Sequence, residues 1–140
     1  MVNYFLINEK FYFVDLPGYG FAKASRSDRE RWAQLMDQYF RQDDGRRLLI
    51  QLVDGKVGAT TLDIQGAEYF EHLGHVPVVV GTKIDKVPRS KRVRSLRAIE
   101  QDLGLRDDDG LIPVSSETGE GMQQLWRRIQ AFLENESEES

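Results

Sequence analysis

Three short motifs carry residue types that can hold a phosphate, a metal ion and a purine base. In Asp15-Leu16-Pro17-Gly18 a carboxylate is followed three residues later by a glycine. The carboxylate can orient a hydrated cation, and the glycine, lacking Cβ, can bring its backbone N–H against a terminal phosphate. In Thr82-Lys83-Ile84-Asp85 a fixed carboxylate can accept from both N1–H and the 2-amino group of guanine. Adenine lacks that donor pair and would leave a buried acceptor unpaired. Lys83 has the length to lie along the flat face of the base. After Val114, the run Ser115-Ser116-Glu117-Thr118-Gly119-Glu120-Gly121 offers small residues whose N–H groups can approach a base oxygen. Taken singly, each motif also has a plain reading: turn punctuation, a strand-to-loop turn with solvated charges, and a helix cap.

The elements around these motifs give them a common setting. Asn3-Tyr-Phe-Leu-Ile and Phe11-Tyr-Phe-Val, separated by Asn8-Glu9-Lys10, read as a β-hairpin ending at Asp15. Ser27 and Glu30 have capping-box spacing, so a helix is expected from near Asp28. Its stripe is Trp32, Leu35, Met36, Tyr39 and Phe40, which reads as core. Leu48 to Val53, Val76 to Gly81 and Leu111 to Val114 read as buried strands. Between and after them, helices are expected over Thr60 to Leu73, Ser90 to Leu103 and a last segment holding Leu125, Trp126, Ile129, Phe132 and Leu133. Strands alternating with such helices imply an α/β fold, a mostly parallel sheet with helices on both faces. Ligands of such sheets bind beyond the carboxyl ends of the strands, where all three motifs fall.

Composition sets the outer bounds. At 140 residues, 40% hydrophobic and 30% charged, the chain reads as one globular domain over 1–133 with an acidic flexible tail over 134–140. Cysteine is absent, which excludes disulfides and thiolate chemistry, and the first residues lack a secretory pattern. A cytoplasmic address and no membrane partner are expected. The net charge of −4 argues against a general nucleic-acid binder, DNA included, although a net balance can hide a local basic face. Such a face is written between Lys83 and Arg97, where Lys83, Lys86, Arg89, Lys91, Arg92, Arg94 and Arg97 oppose only Asp85. It suits either phosphate contacts or a solvated helix exterior. His72 and His75 have no ligand-type neighbours at metal spacing and read as helix-end residues.

The order of the three motifs, each at a strand end, resembles the P-loop GTPase superfamily. The closer resemblance is to the bacterial EngB (YihA or YsxC) family of ribosome-assembly GTPases. It rests on Phe-Val-Asp-Leu-Pro-Gly-Tyr-Gly at 13–20, Gly-Thr-Lys-Ile-Asp at 81–85 and Val-Ser-Ser-Glu-Thr-Gly-Glu-Gly at 114–121. The resemblance implies a three-layer fold and binding of GTP or GDP with Mg2+. Asp15 would support magnesium through water, and Leu16, Pro17 and Gly18 would lie at the γ-phosphate. Thr82, Lys83, Ile84 and Asp85 would read the guanine, with Val114, Ser115 and Ser116 near its O6. It also implies the large ribosomal subunit or its rRNA as partner, a monomeric state, and a role in subunit assembly and through it in cell division and septation.

Two departures qualify that expectation. The motif Gly-x-x-x-x-Gly-Lys-Ser/Thr, which cradles the phosphates, is absent from the 140 residues. The chain therefore reads as an N-terminally truncated member lacking the first strand and P-loop, with the absent strand belonging between those ending at Asp15 and Val53. Tyr19 stands where Ras-like enzymes carry a water-orienting glutamine, so slow intrinsic hydrolysis is expected even of an intact member. The alternative is a non-catalytic module that keeps a ribosome- or RNA-contacting surface and binds nucleotide negligibly. A phospho-accepting receiver domain fits poorly, because it leaves Thr-Lys-x-Asp unexplained.

Overall fold

The N-terminal aromatic and β-branched runs form strands β1 (Asn3–Ile7) and β2 (Phe11–Asp15), paired antiparallel in a register from Asn3↔Asp15 to Ile7↔Phe11. The structure is a computed structural model and describes residues 3–7, 11–15, 26–42, 47–106 and 110–139. The turn over 8–10 and the motif residues Leu16, Pro17, Gly18 and Tyr19 lie outside them. Helix α1 (Arg26–Gln42) starts two residues before the expected Asp28, so Ser27 stands inside its first turn and is not the cap. An Arg26–Glu30 ion pair at 3.3 Å, one helical turn apart, supports the earlier start. Met36 is fully buried at the centre of the stripe, and Trp32, Leu35, Tyr39 and Phe40 are half-buried around it. These elements belong to the first of two compact units, Met1–Gly45 and Arg46–Ser140. Composition gives no sign of this division.

The second unit contains β3 (Ile50–Asp54), α2 (Thr61–His72), β4 (Val78–Thr82), α3 (Arg89–Asp102), β5 (Leu111–Pro113) and α4 (Met122–Glu139). The strands form a parallel sheet in the order β3-β4-β5. Strands β2 and β3 lie in separate sheets. The ladder starts at Val78 because Pro77 has no N–H to give, and the Val78 N–H bonds the Leu49 carbonyl at 2.8 Å. Strand alternation sends Val78 and Val80 with Ile112 and Val114 to one face, covered by Leu125 of α4. Val79 and Val53 face the other way onto Ile99 and Leu103 of the α3 segment. Helices thus cover both faces of this sheet.

Helix ends follow their local chemistry. Thr60 and Asp63 form a reciprocal capping box at the start of α2, and Gly74, at φ 82°, ends it in the left-handed region. Helix α4 continues to Glu139, through the acidic stretch that charge alone reads as frayed chain. Extending an existing helix needs no new nucleus, and glutamate is a good helix former. Trp126, placed in the apolar stripe by spacing, is 45% exposed. Among the described residues no helix is long and apolar enough to cross a membrane.

Candidate functional site

Because β3, β4 and β5 run parallel, their carboxyl ends open onto one edge, with Asp54 opposite Thr82 and Gly81 opposite Pro113. Backbone hydrogen bonds then lace the departing loops together. Gly55 N–H donates to the Thr82 carbonyl at 2.7 Å, Val114 N–H to the Gly81 carbonyl at 2.8 Å, and Ile84 N–H to the Val114 carbonyl at 3.1 Å. The first of these needs a glycine, since a Cβ at 55 would stand 2.6 Å from the Thr82 carbonyl oxygen. The Thr82 hydroxyl donates back to the Val53 carbonyl at 3.3 Å. Ile84 is fully buried and pins the 3-10 turn Ile84–Lys86, with Lys83 exposed on one side of it and Asp85 half-buried on the other.

Asp85 is held from the neighbouring loop. Its Oδ1 accepts from the Ser115 hydroxyl at 2.8 Å, and Ser115, itself with no exposed surface, accepts from the Thr118 N–H at 3.1 Å. Ser115 N–H donates to the Glu120 carbonyl, and Gly119 N–H to the Ser115 carbonyl, both at 2.9 Å. Every polar group of Ser115 is therefore engaged, and the loop 115–121 is closed on it. Gly121 completes the closure at φ 78°, where a Cβ would fall on the Pro113 carbonyl oxygen. The Ser115 hydroxyl holds the Asp85 carboxyl below the ordinary 3.8; burial opposes this, and Lys86, 3.6 Å from Oδ2, adds to it. An ionised carboxylate has about four lone-pair sites. Ser115, the Asp85 N–H and Lys86 engage three of them, and the exposed Lys86 is the one donor an incoming group could replace.

Lys83 adopts a left-handed backbone, φ 57° and ψ 34°, the only non-glycine to do so among the described residues. A side chain with Cβ is strained in that geometry, and such outliers gather at functional sites. Its ammonium group reaches across the sheet edge to Asp54 Oδ2 at 3.1 Å. Asp54 is itself fixed: Oδ1 accepts from the N–H groups of Lys56 at 2.8 Å and Val57 at 3.0 Å. Burial raises the Asp54 carboxyl, but the Val57 N–H, Lys83 and the Lys56 N–H outweigh it and leave the group below its ordinary value. Asp54 as the partner of Lys83 was not singled out by sequence. An acid closing a buried strand, on the same edge as the other motifs, is the signal that would have found it.

The structure thus brings Thr82, Lys83, Ile84, Asp85, Val114 and Ser115 together, with Ser116 exposed on the adjoining loop. Asp15 ends β2 opposite Asn3, in the first unit, and its side chain is outside the description. Among the described residues no three His, Asp or Glu side chains converge on a possible metal position.

No protein-family model matches the chain. Individual relatives do. It is 39% identical over 132 residues to a probable GTP-binding protein EngB of Geobacillus sp. (strain WCH70), covering 94% of this chain and 68% of that protein. The like-named proteins of Natranaerobius thermophilus and Bacillus subtilis (strain 168) are 42% and 34% identical over the same length and coverage. Among solved structures, a probable GTP-binding protein engB superposes with a TM-score of 0.71 at 18% identity, over 89% of this chain and 78% of that one. Era in complex with MgGDPNP and nucleotides 1506–1542 of 16S ribosomal RNA gives 0.65 at 19% identity, over 94% and 43%. The likeness to these structures concerns the fold, a P-loop GTPase sheet. Sequence identity above one third, held across two thirds of several relatives, goes further and makes this chain a member of the EngB family of GTP-binding proteins.

Proposed function

We propose that the loops after β4 and β5 form the guanine-reading half of a GTP- and GDP-binding site. The observation that carries this is the half-buried Asp85 carboxylate, locked at 2.8 Å by a buried serine at the carboxyl end of the parallel sheet. Asp85 would accept from N1–H and the 2-amino group. The Lys83 stem, tethered at its tip by Asp54, would lie across the base, and the backbone at Ser115 and Ser116 would meet O6. Asp15 and Gly18, by resemblance, would serve magnesium and the γ-phosphate. Family membership further supports a role at the large ribosomal subunit, with its consequences for division and septation, and a cytoplasmic address.

The test is titration of the chain with a fluorescent GDP analogue, with ATP as competitor. Guanine-selective binding at micromolar concentration is expected, and Asp85→Asn shifts the preference away from guanine by about 10- to 100-fold, the discrimination of one bidentate pair. Unchanged selectivity in that variant refutes the assignment. A second reading, negligible nucleotide binding with the partner-contacting surface retained, is favoured by the absence of Gly-x-x-x-x-Gly-Lys-Ser/Thr from the 140 residues. Phosphate contacts normally supply much of the grip. No binding at millimolar GDP would select it.

A further inference from the structure

Helix α3 is charged against its own dipole. Its cations, Arg89, Lys91, Arg92, Arg94 and Arg97, occupy the first nine positions, and its acids, Glu100 and Asp102, occupy the end. A helix is stabilised by the reverse arrangement, and α3 has neither an acid in its first turn nor a base in its last. Pro88 at the cap offers no side-chain hydrogen bond to compensate. Among the described residues Arg92 pairs with Glu120 at 2.6 Å, joining α3 to the loop before α4. Among the described residues Arg89, Lys91, Arg94 and Arg97 make no ion pair. Local stability therefore does not account for them.

These residues share a surface. Ser90, Val93, Arg94, Arg97, Ala98 and Gln101 line a shallow open depression along α3, and all six are exposed. Their spacing of three and four places them in one row along the helix. Val93, 63% exposed, and Ala98 are the apolar members of the row and flank the two arginines. A row of guanidinium groups without a partner among the described residues is complementary to a ridge of phosphates, which guanidinium binds bidentately. No aromatic ring stands in this row, so it offers no stacking platform for unpaired bases. Ser90 and Gln101, at its two ends, carry hydroxyl and amide groups able to pair with a ribose 2′-hydroxyl.

We infer that the outer face of α3 is a docking surface for the backbone of double-stranded RNA, centred on Arg94 and Arg97. The inference rests on the ribosomal reading above only for the origin of the RNA, not for the binding itself. An external polyanion supplies the negative charge that the first turns of α3 lack. The surface is separate from the base-reading loops, so RNA can dock there without bound nucleotide.

The test is fluorescence anisotropy of the full chain with a labelled 20-base-pair RNA duplex, titrated across a salt series without nucleotide. Arg94→Gln with Arg97→Gln is expected to weaken binding about tenfold and to flatten the log–log salt dependence by roughly two, one for each phosphate no longer neutralised. The charge-matched control, Arg127→Gln with Arg128→Gln on the exposed side of α4, leaves affinity and slope unchanged. Equal weakening in the control overturns the assignment to α3, as does an unaltered slope in the α3 variant. Equally tight binding of polyglutamate, or of the DNA duplex of the same sequence, overturns the commitment to RNA. Cosedimentation with large ribosomal subunits is scored separately: RNA binding through α3 without cosedimentation sinks the ribosomal reading and leaves the α3 surface standing.

Discussion

The serine under Asp85 does two jobs with one oxygen. It donates to the carboxylate and accepts from the Thr118 N–H, so it both lowers the Asp85 carboxyl and fixes the shape of the loop beside it. Ser115→Ala removes both hydrogen bonds and is expected to weaken GDP binding about tenfold, one charge-assisted hydrogen bond's worth, with guanine still preferred over adenine. The pH profile follows from the direction of the Asp85 shift. A carboxyl lowered in the folded state stabilises above its unfolded value of 3.8, and that contribution is lost as pH falls through the still lower folded value. Asp85 therefore contributes no change in stability or selectivity between about pH 5 and 8, and its protonation belongs below 3.8. In Ser115→Ala the onset moves up toward 3.8, read by following GDP fluorescence or carboxyl NMR shifts during acid titration. At this scale the grouping of Thr82, Lys83 and Asp85 at one strand end was legible, because their spacing is contiguous. Ser115 was legible only as a backbone neighbour. Its side chain's hold on Asp85 joins residues 30 positions apart, and no local pattern records that.

The elements place these residues by making three strand ends coincide. Periodicity found β3, β4 and β5 and the helices between them, since buried parallel strands write themselves as continuous apolar runs. It missed the start of α1, because Ser27 mimics a cap, and the reach of α4 into acidic sequence, because charge was read without helix continuity. The element with the least tolerance is the turn from β5 into α4. Gly121 combines a positive φ of 78° with a Cβ position already taken by the Pro113 carbonyl. Gly121→Ala is expected to cost about 1–3 kcal/mol in urea unfolding, and more than alanine at Gly58, whose added Cβ meets nothing within 4 Å despite φ 90°. Equal costs at the two sites would show that backbone strain alone, without the collision, accounts for the requirement. The distortion in Gly121→Ala would also reach Ser115, whose N–H is tied to Glu120 one residue earlier.

Across the whole molecule the chain is two units, each with its own sheet, and the loops proposed to read the base lie entirely within the second. Amphipathic patterning cannot announce such a division, because each unit supplies its own alternation of strand and helix. What it can announce is which strands expect company on both sides. Strand β3 reads as such a strand, an apolar run, yet among the described residues it pairs only with β4. Leu52, within it, is 62% exposed. A strand of this kind is a template for another chain's backbone. The practical consequence concerns handling at the bench. Light scattering of concentrated solutions is expected to rise with protein concentration and to persist in high salt, since ladder pairing is not a charge effect. Leu52→Lys should suppress it by putting a charge on the open border, and a concentration-independent particle size in the unmodified chain would remove the concern. Storage, crystallisation and labelling then turn on the five residues of β3 as well as on the proposed nucleotide site.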